Sequence, residues 1–375
     1  MSLQGFATSE GTARYRERFA GVAAEGHFRF EQNLWLSSVG VGTYLGDADE
    51  ATDRAYTDAV ALAVELGANV VDTAANYRYQ RSERSVGEAL RRLVERGFAR
   101  EEFVVCTKGG YLPFDTHRPA NQAAMREYVE ETFVRTGVAQ LSDIVGGSHC
   151  MTPRYLAHQL AQSLGNMNLE TVDVYYVHNP ESQLPSVPRE EFEKRLRAAF
   201  EQLEGERAEG RIKFYGVATW NGFRVAANSR GYHSLERMFS LAREAGGDAH
   251  GFRFVQLPVN LAMPEALVSD NQTYEGAHVS LLEAAKALGV TVVASASILQ
   301  GKVAADLSEQ IREPLGSLAT DAQTAIQFTR STPGVTTALV GMSSRAHVEE
   351  NLQLARVPPA SADDYSRLFT QGDAG

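Results

Sequence analysis

The chain has 375 residues, and its 36 basic and 47 acidic side chains leave a formal charge of −11. That length holds two ordinary domains or one large α/β barrel, and 43 % hydrophobic residues beside 22 % charged ones exclude a disordered chain. The acidic balance argues against a nucleic-acid or anionic-membrane surface, either of which needs clustered Lys and Arg.

In chain order, residues 1–34 precede any regular pattern. Within them Phe28-Arg29-Phe30, and beyond them Leu34-Trp35-Leu36, flank the polar Glu31-Gln32-Asn33 and predict a hairpin. Short apolar runs rich in β-branched residues then recur at 36–41, 69–72, 103–108, 172–178, 213–218, 252–258, 290–294 and 336–341. Several are too continuously apolar for a sheet with one wet face and suit parallel strands covered on both sides. Helical spacing fills the gaps. Ala55, Ala59, Leu62, Ala63 and Leu66 share one face and stop at Gly67, a C-terminal signal. Ser82, Ser85, Val86, Ala89, Leu90 and Leu93 repeat the spacing, and Thr152-Pro153 reads as an N-cap and first helical residue before 155–164. Residues 281–288 end at Gly289 in the same way.

Eight alternating strand–helix units predict a closed (β/α)8 TIM barrel over residues 35–375, with an N-terminal hairpin extension over 1–34. The insertion 109–151, helical around 123–134, and the lengthened loop 297–320 follow strands, so they would border the mouth where such barrels bind substrates. Two cysteines, Cys106 and Cys150, make no disulfide framework. No apolar run approaches the ~18 residues that span a bilayer, and no basic-then-apolar leader opens the chain. A cytoplasmic protein is expected.

Three consecutive runs end in ionisable groups: Asp72, Lys108 and His178, with Tyr77 on the loop after the first. Singly, these read as a loop cap, a solvated lysine, a core histidine and a packing tyrosine. Together, at adjacent strand ends of one barrel, they suit carbonyl reduction. Hydride delivery builds negative charge on oxygen and needs a proton donor beside it. The Lys108 ammonium would favour the Tyr77 phenolate and ease proton exchange. Asp72 would compensate that ammonium, and His178 would orient the substrate oxygen.

The segments carrying these groups resemble those of the aldo-keto reductases, in the family's order. Asp72-Thr73-Ala74-Ala75-Asn76-Tyr77 resembles its Asp-Thr-Ala…Tyr stretch, Thr107-Lys108 its strand-three lysine, and Tyr176-Val177-His178-Asn179-Pro180 its Leu-His-x-Pro stretch. The likeness runs from about Leu36 to Leu354. It implies a catalytic tetrad of Asp72, Tyr77, Lys108 and His178 with Tyr77 as proton donor, and a nicotinamide cofactor, NADP(H) by family habit or NAD(H).

For that cofactor, Gly40-Val41-Gly42-Thr43-Tyr44 resembles the family's Gly-x-Gly-Thr turn, and Gln256 its carboxamide-binding glutamine. Asp72 would also lie against the cofactor. Ser295, Ala296, Leu299 and Gly301 occupy the segment that holds the pyrophosphate, while Gly341, Ser343, His347, Glu350 and Asn351 occupy the adenosine segment. A phosphate there would meet backbone N–H groups at the start of the last helix. The sequence departs at three places. The family's strand-five Ser-Asn pair is Ala218-Thr219, leaving carboxamide contacts to Thr219 and Gln256. Its strand-seven proline is Ala296. Its adenosine-phosphate arginine aligns with His347, with Arg345 nearby.

The implied substrate is a small-molecule carbonyl or alcohol, met by Tyr44, Tyr77, Tyr111, His178 and Trp220. Tyr111, Phe114, His117, His149 and Tyr274 on the long loops suggest a sugar-like ligand, where rings stack and polar groups bind hydroxyls. A monomer or homo-oligomer is expected, with no nucleic-acid or membrane partner. Two other readings are a redox-sensing regulatory subunit of the same fold and a Schiff-base barrel enzyme acting through Lys108. Gly40, Gly42 and Gly46 do not make a dinucleotide-binding glycine loop, because the third glycine is one position late. The nine histidines show no metal-ligating spacing.

Overall fold

The computed structural model describes residues 2–370, so Met1 and 371–375 of the expected ranges lie outside the described residues. Strands β1 (Phe28–Glu31) and β2 (Leu34–Ser37) pair antiparallel as a hairpin. The barrel strands then begin with β3 (Val39–Gly42), β4 (Val70–Asp72), β5 (Val104–Gly109), β6 (Val172–His178), β7 (Ile212–Ala218) and β8 (Phe252–Pro258). A small hairpin of β9 (Gln272–Tyr274) and β10 (Ala277–Val279) intervenes before β11 (Thr291–Ser295) and β12 (Val335–Gly341). The eight parallel strands β3–β8, β11 and β12 close on themselves, with β12 pairing β3.

The expected first strand, 36–41, is two strands. Ser38 N donates to the His27 carbonyl at 2.6 Å and the Ser38 carbonyl accepts from Ala338 N at 2.9 Å, so the chain leaves the hairpin and enters the barrel at this residue. Both pieces are short and apolar, and periodicity alone merges them.

Helices cover the outer face as their spacing requires. The helix Glu50–Glu65 turns Ala59, Val60, Ala63 and Val64 inward, and Gly67 past its end adopts a φ of +113°. The helix Leu281–Leu288 opens with a reciprocal Ser280–Glu283 cap and stops at left-handed Gly289. Thr152 stands at the N-cap of Pro153–Met167, but its hydroxyl makes no cap bond and meets Cys150 Sγ at 3.4 Å. In the insertion, the helix Gln122–Val129 runs into a π-turn at Glu130–Val134, and Phe133, Ala139, Cys150 and Tyr155 form a small core of its own. Both cysteines are buried and free.

The end of the barrel opposite the mouth is closed by the N-terminal segment. Ala7, Leu34 and Leu36 join Val70, Val104, Val174 and Phe254 in one buried cluster. Ala7 N donates to Asp173 Oδ1 at 2.6 Å, while Asp173 Oδ2 accepts from Arg100 Nη2 at 2.7 Å and Val105 N at 2.8 Å. Arg29 donates to the carbonyls of Val335, Thr336 and Arg330. Among the described residues no helix is long and apolar enough to cross a membrane, and no group of three or more His, Cys, Asp and Glu is placed to hold a metal.

Candidate active site

Register brings the strand ends to one level. Gly341 pairs with Gly42, Gly42 with Asp72, Lys108 with Tyr176, and His178 with Ala218, which pairs in turn with Gln256. At that rim opens a cavity of about 400 Å³. Asp72, Tyr77 and His178 line its floor, beside Gly42, Thr43, Tyr44, Thr219, Trp220 and Gln256. Ser295, Ala296, Leu299 and Gly301 also belong to the lining, as do Gly341, Ser343 and His347.

Lys108 lies behind this lining, where it is 1 % exposed. Its ammonium donates to Asp72 Oδ2 at 2.5 Å and to the Thr73 carbonyl at 2.8 Å, and stands 4.9 Å from the centre of the Tyr77 ring. Burial lowers the amine's pKa, but Asp72 and Tyr77 reverse that and hold it above the ordinary lysine value. Burial pushes the Asp72 carboxyl up, while Lys108 and Gln256 pull against it. We therefore describe the pair as ammonium and carboxylate. For Tyr77, burial outweighs the pull of Lys108, and Asp72 adds to the upward push, so its pKa lies above the ordinary 10.0 and the phenol stays protonated. Lys108 pulls in the expected direction, toward the phenolate, but less strongly than burial pushes the other way.

His178 stays neutral, because burial and then the nearby Lys108 charge drive its pKa well below the ordinary value. Its ring meets Tyr77 and Tyr111 edge-on, with centroids 6.0 and 5.1 Å away. Behind it, His149 of the insertion bonds the His178 carbonyl through Nε2 at 2.8 Å. Arg195 Nη1 donates to Gln183 Oε1 at 2.9 Å, so the Gln183 amide N–H points at His149 Nδ1, also 2.9 Å away. Nδ1 is therefore the acceptor, and the imidazole proton is assigned to Nε2. Gly110 threads between them at a φ of +143°; a Cβ there would lie 2.9 Å from both His149 Nε2 and the His178 carbonyl oxygen.

Gln256 Nε2 donates to Asp72 Oδ1 at 2.8 Å, which leaves its amide oxygen as a free acceptor on a cavity-lining residue. Thr219 Oγ1 donates to Glu181 Oε1 at 2.7 Å and accepts from Gly222 N at 2.8 Å. Ala296 has a φ of +53°, a value the proline ring forbids, so the departure from the family's proline has a backbone cause. Leu299 and Gln300 share that left-handed conformation, and Asn260 Nδ2 holds the Ala296 carbonyl at 3.0 Å.

Several expected residues stand elsewhere. Tyr111 contacts His178 but does not line the cavity, and its hydroxyl bonds Ser182 Oγ at 3.0 Å. Glu350 and Asn351 are also outside the lining: Glu350 accepts from Thr320 Oγ1 at 2.7 Å, and Asn351 is buried. The other loop rings also lie off the cavity lining: Phe114 packs on Tyr79 and Tyr128, His117 bonds Thr116, and Tyr274 belongs to β9. The rings exposed at the rim are Tyr44 and Trp220, 57 % and 42 % accessible. Glu181 escaped the sequence reading although it lies three residues past His178, because a carboxylate after a strand carries no signal until its partners are visible.

A model of the aldo/keto reductase family matches residues 38–370. A Schizosaccharomyces pombe protein, assigned by name to the voltage-gated potassium channel beta subunits, is 26 % identical over 347 residues, covering 87 % of each chain. A D-threo-aldose 1-dehydrogenase from a Pseudomonas species is 28 % identical over 173 residues, 44 % of this chain and 46 % of that protein. An aldo/keto reductase from Klebsiella pneumoniae, solved in complex with NADP and acetate, superposes with a TM-score of 0.60 at 19 % identity, covering 92 % and 94 % of the two chains.

Proposed function

Because the chain belongs to the aldo/keto reductase family, we propose that it interconverts a small-molecule carbonyl and its alcohol with a nicotinamide dinucleotide, Tyr77 donating the proton. The observation that carries this reading is the buried Lys108 ammonium, held between Asp72 and the face of Tyr77 and next to neutral His178 on the cavity floor.

The donor and acceptor set fits the cofactor. The free amide oxygen of Gln256 and the remaining lone pair of Thr219 match the carboxamide N–H groups of nicotinamide. Gly42, Thr43 and Asp72 would lie against that end of the cofactor. Ser295, Ala296, Leu299 and Gly301 would border the pyrophosphate, and Gly341, Ser343 and His347 the adenosine, with Glu350 and Asn351 packing behind. NADP(H) is the proposed form, supported by the NADP-bound Klebsiella structure, with NAD(H) as the alternative.

When bound, the reduced nicotinamide supplies a hydride to the carbonyl carbon. Neutral His178 donates an N–H bond to the carbonyl oxygen and fixes its direction. The Tyr77 phenol gives its proton to that oxygen as charge builds there, and Lys108 stabilises the phenolate left behind. Asp72 keeps Lys108 charged and in place, while Tyr44 and Trp220 offer ring faces to a substrate at the rim. The D-threo-aldose 1-dehydrogenase relative supports a polyhydroxylated substrate, and faster turnover of plain aliphatic aldehydes than of every aldose would count against it.

Tyr77→Phe is the direct test. Reduction should fall by about 10²–10⁴-fold, the usual worth of a positioned proton donor, with cofactor affinity unchanged; wild-type turnover would remove Tyr77 from this role. The channel-subunit relative favours a second reading, a slowly turning-over redox sensor. Single-turnover hydride transfer separates the two: fast transfer supports the enzyme, while tight binding with very slow transfer supports the sensor.

A further inference from the structure

Glu181 is a largely buried carboxylate, its side chain 12 % exposed, that the proposed chemistry does not use. Three donors converge on its Oε1: Thr219 Oγ1 at 2.7 Å, Trp220 N at 2.9 Å and Asn221 N at 3.1 Å. Its other oxygen lies 3.5 Å from His233 Nε2. Burial pushes this carboxyl up, but the His233, Thr219 and Asn221 contacts outweigh burial and leave its pKa at about 2. The turn it gathers is the one that departs from the family's Ser-Asn pair. Gly222 is required there, since a Cβ would fall 2.1 Å from the His233 ring and 2.7 Å from Thr219 Oγ1.

The consequence lies in the Thr219 hydroxyl. A hydroxyl has one proton and two lone pairs. The proton goes to Glu181 and one lone pair receives Gly222 N–H, so a single acceptor position remains on a residue that lines the cavity. Without Glu181 the hydroxyl would rotate freely and present a donor as readily as an acceptor.

We propose that Glu181 is a positioning residue for the nicotinamide end of the cofactor, fixing Thr219 as an acceptor for the carboxamide N–H. This rests on the cofactor reading above. Its test compares NADPH with 2′,5′-ADP, which carries the adenosine phosphates but no nicotinamide, by calorimetric titration of the full chain. Glu181→Leu and Thr219→Val should each weaken NADPH about tenfold, equivalent to about 1.4 kcal/mol, with 2′,5′-ADP affinity unchanged. The double variant should be no weaker than either single one, because both remove the same contact. Glu181→Gln keeps an acceptor oxygen and should bind close to wild type.

Unchanged NADPH affinity in either single variant would overturn the assignment. So would an equal loss for both nucleotides, which would mark a general structural role. If leucine at 181 prevents folding, unchanged NADPH affinity in Thr219→Val still overturns the assignment. A wild-type chain that binds neither nucleotide would sink the cofactor reading itself, a result distinct from normal NADPH binding by the variants.

Discussion

Replacing Asp72 with asparagine would leave the Lys108 ammonium in the barrel with no opposite charge, only an amide oxygen, the Thr73 carbonyl and the Tyr77 ring. Removing one partner of a buried ion pair costs about 3–5 kcal/mol. An independent ceiling follows from letting the amine discharge instead. Moving a lysine from its ordinary pKa of about 10.4 to neutrality at pH 7 takes about 3.4 units, or about 4.6 kcal/mol. The two figures agree, so a loss of about 3–5 kcal/mol is expected at pH 7.

The sign of the pH dependence is fixed. In the wild type the Lys108 pKa is raised, so its stabilising share is complete below the ordinary lysine pKa and is lost as pH rises through the folded value. In the variant the folded pKa would be depressed, and stability would recover as pH approaches that of the free amine. At pH 10 discharge costs only about 0.5 kcal/mol. Urea unfolding at pH 7 and pH 10 should therefore show the gap between the two proteins narrowing sharply. An equal gap at both pH values would refute the claim that Asp72 compensates a buried cation. The same substitution turns an N–H toward Gln256 Nε2, now 2.8 Å from Asp72 Oδ1. The Gln256 amide must turn over, and its cavity-facing acceptor becomes a donor.

His149→Ala removes the N–H that holds the His178 carbonyl and should lower kcat about tenfold, the worth of one well-placed hydrogen bond of about 1.4 kcal/mol, with cofactor affinity intact. Glutamine at 149 restores an amide donor and should recover most of the loss; an alanine variant with unaltered kcat would detach the insertion from catalysis. The rate of reduction should be flat across neutrality. Neutral His178 gives no inflection near the ordinary histidine value of about 6.5, and the rate falls only as the raised Tyr77 pKa is approached above about 10. A stopped-flow pH profile with an inflection near 6.5 in hydride transfer would contradict that assignment.

The barrel was legible because burial on both faces writes itself as continuous apolar runs, and because parallel strands force helices of matching spacing between them. Asp72, Lys108 and His178 were found by the rule that strand ends converge. The split at Ser38 was invisible because both sides of it are equally apolar. Ala296 looked like a lost proline until its positive φ appeared. Glu181 and His149 act through partners 38 to 40 and 29 residues away, respectively, and no local pattern records such pairings. The loop aromatics are ambiguous for a related reason: a ring in an insertion, such as Phe114 against Tyr128, is as good a packing element as a surface for a ligand.

The closure of the barrel floor links the β1–β2 hairpin to strands far along the chain. Arg29 reaches carbonyls 301 to 307 residues further along, and Leu34 and Leu36 finish an interior layer whose other members are spread from β4 to β12. Without β12, Arg29 would lose the Thr336 carbonyl and the buried layer would lose Leu339. The hairpin thus depends on β12 for the Arg29 contacts, while residues 3–8 are held by partners at Glu101, Asn168 and Asp173.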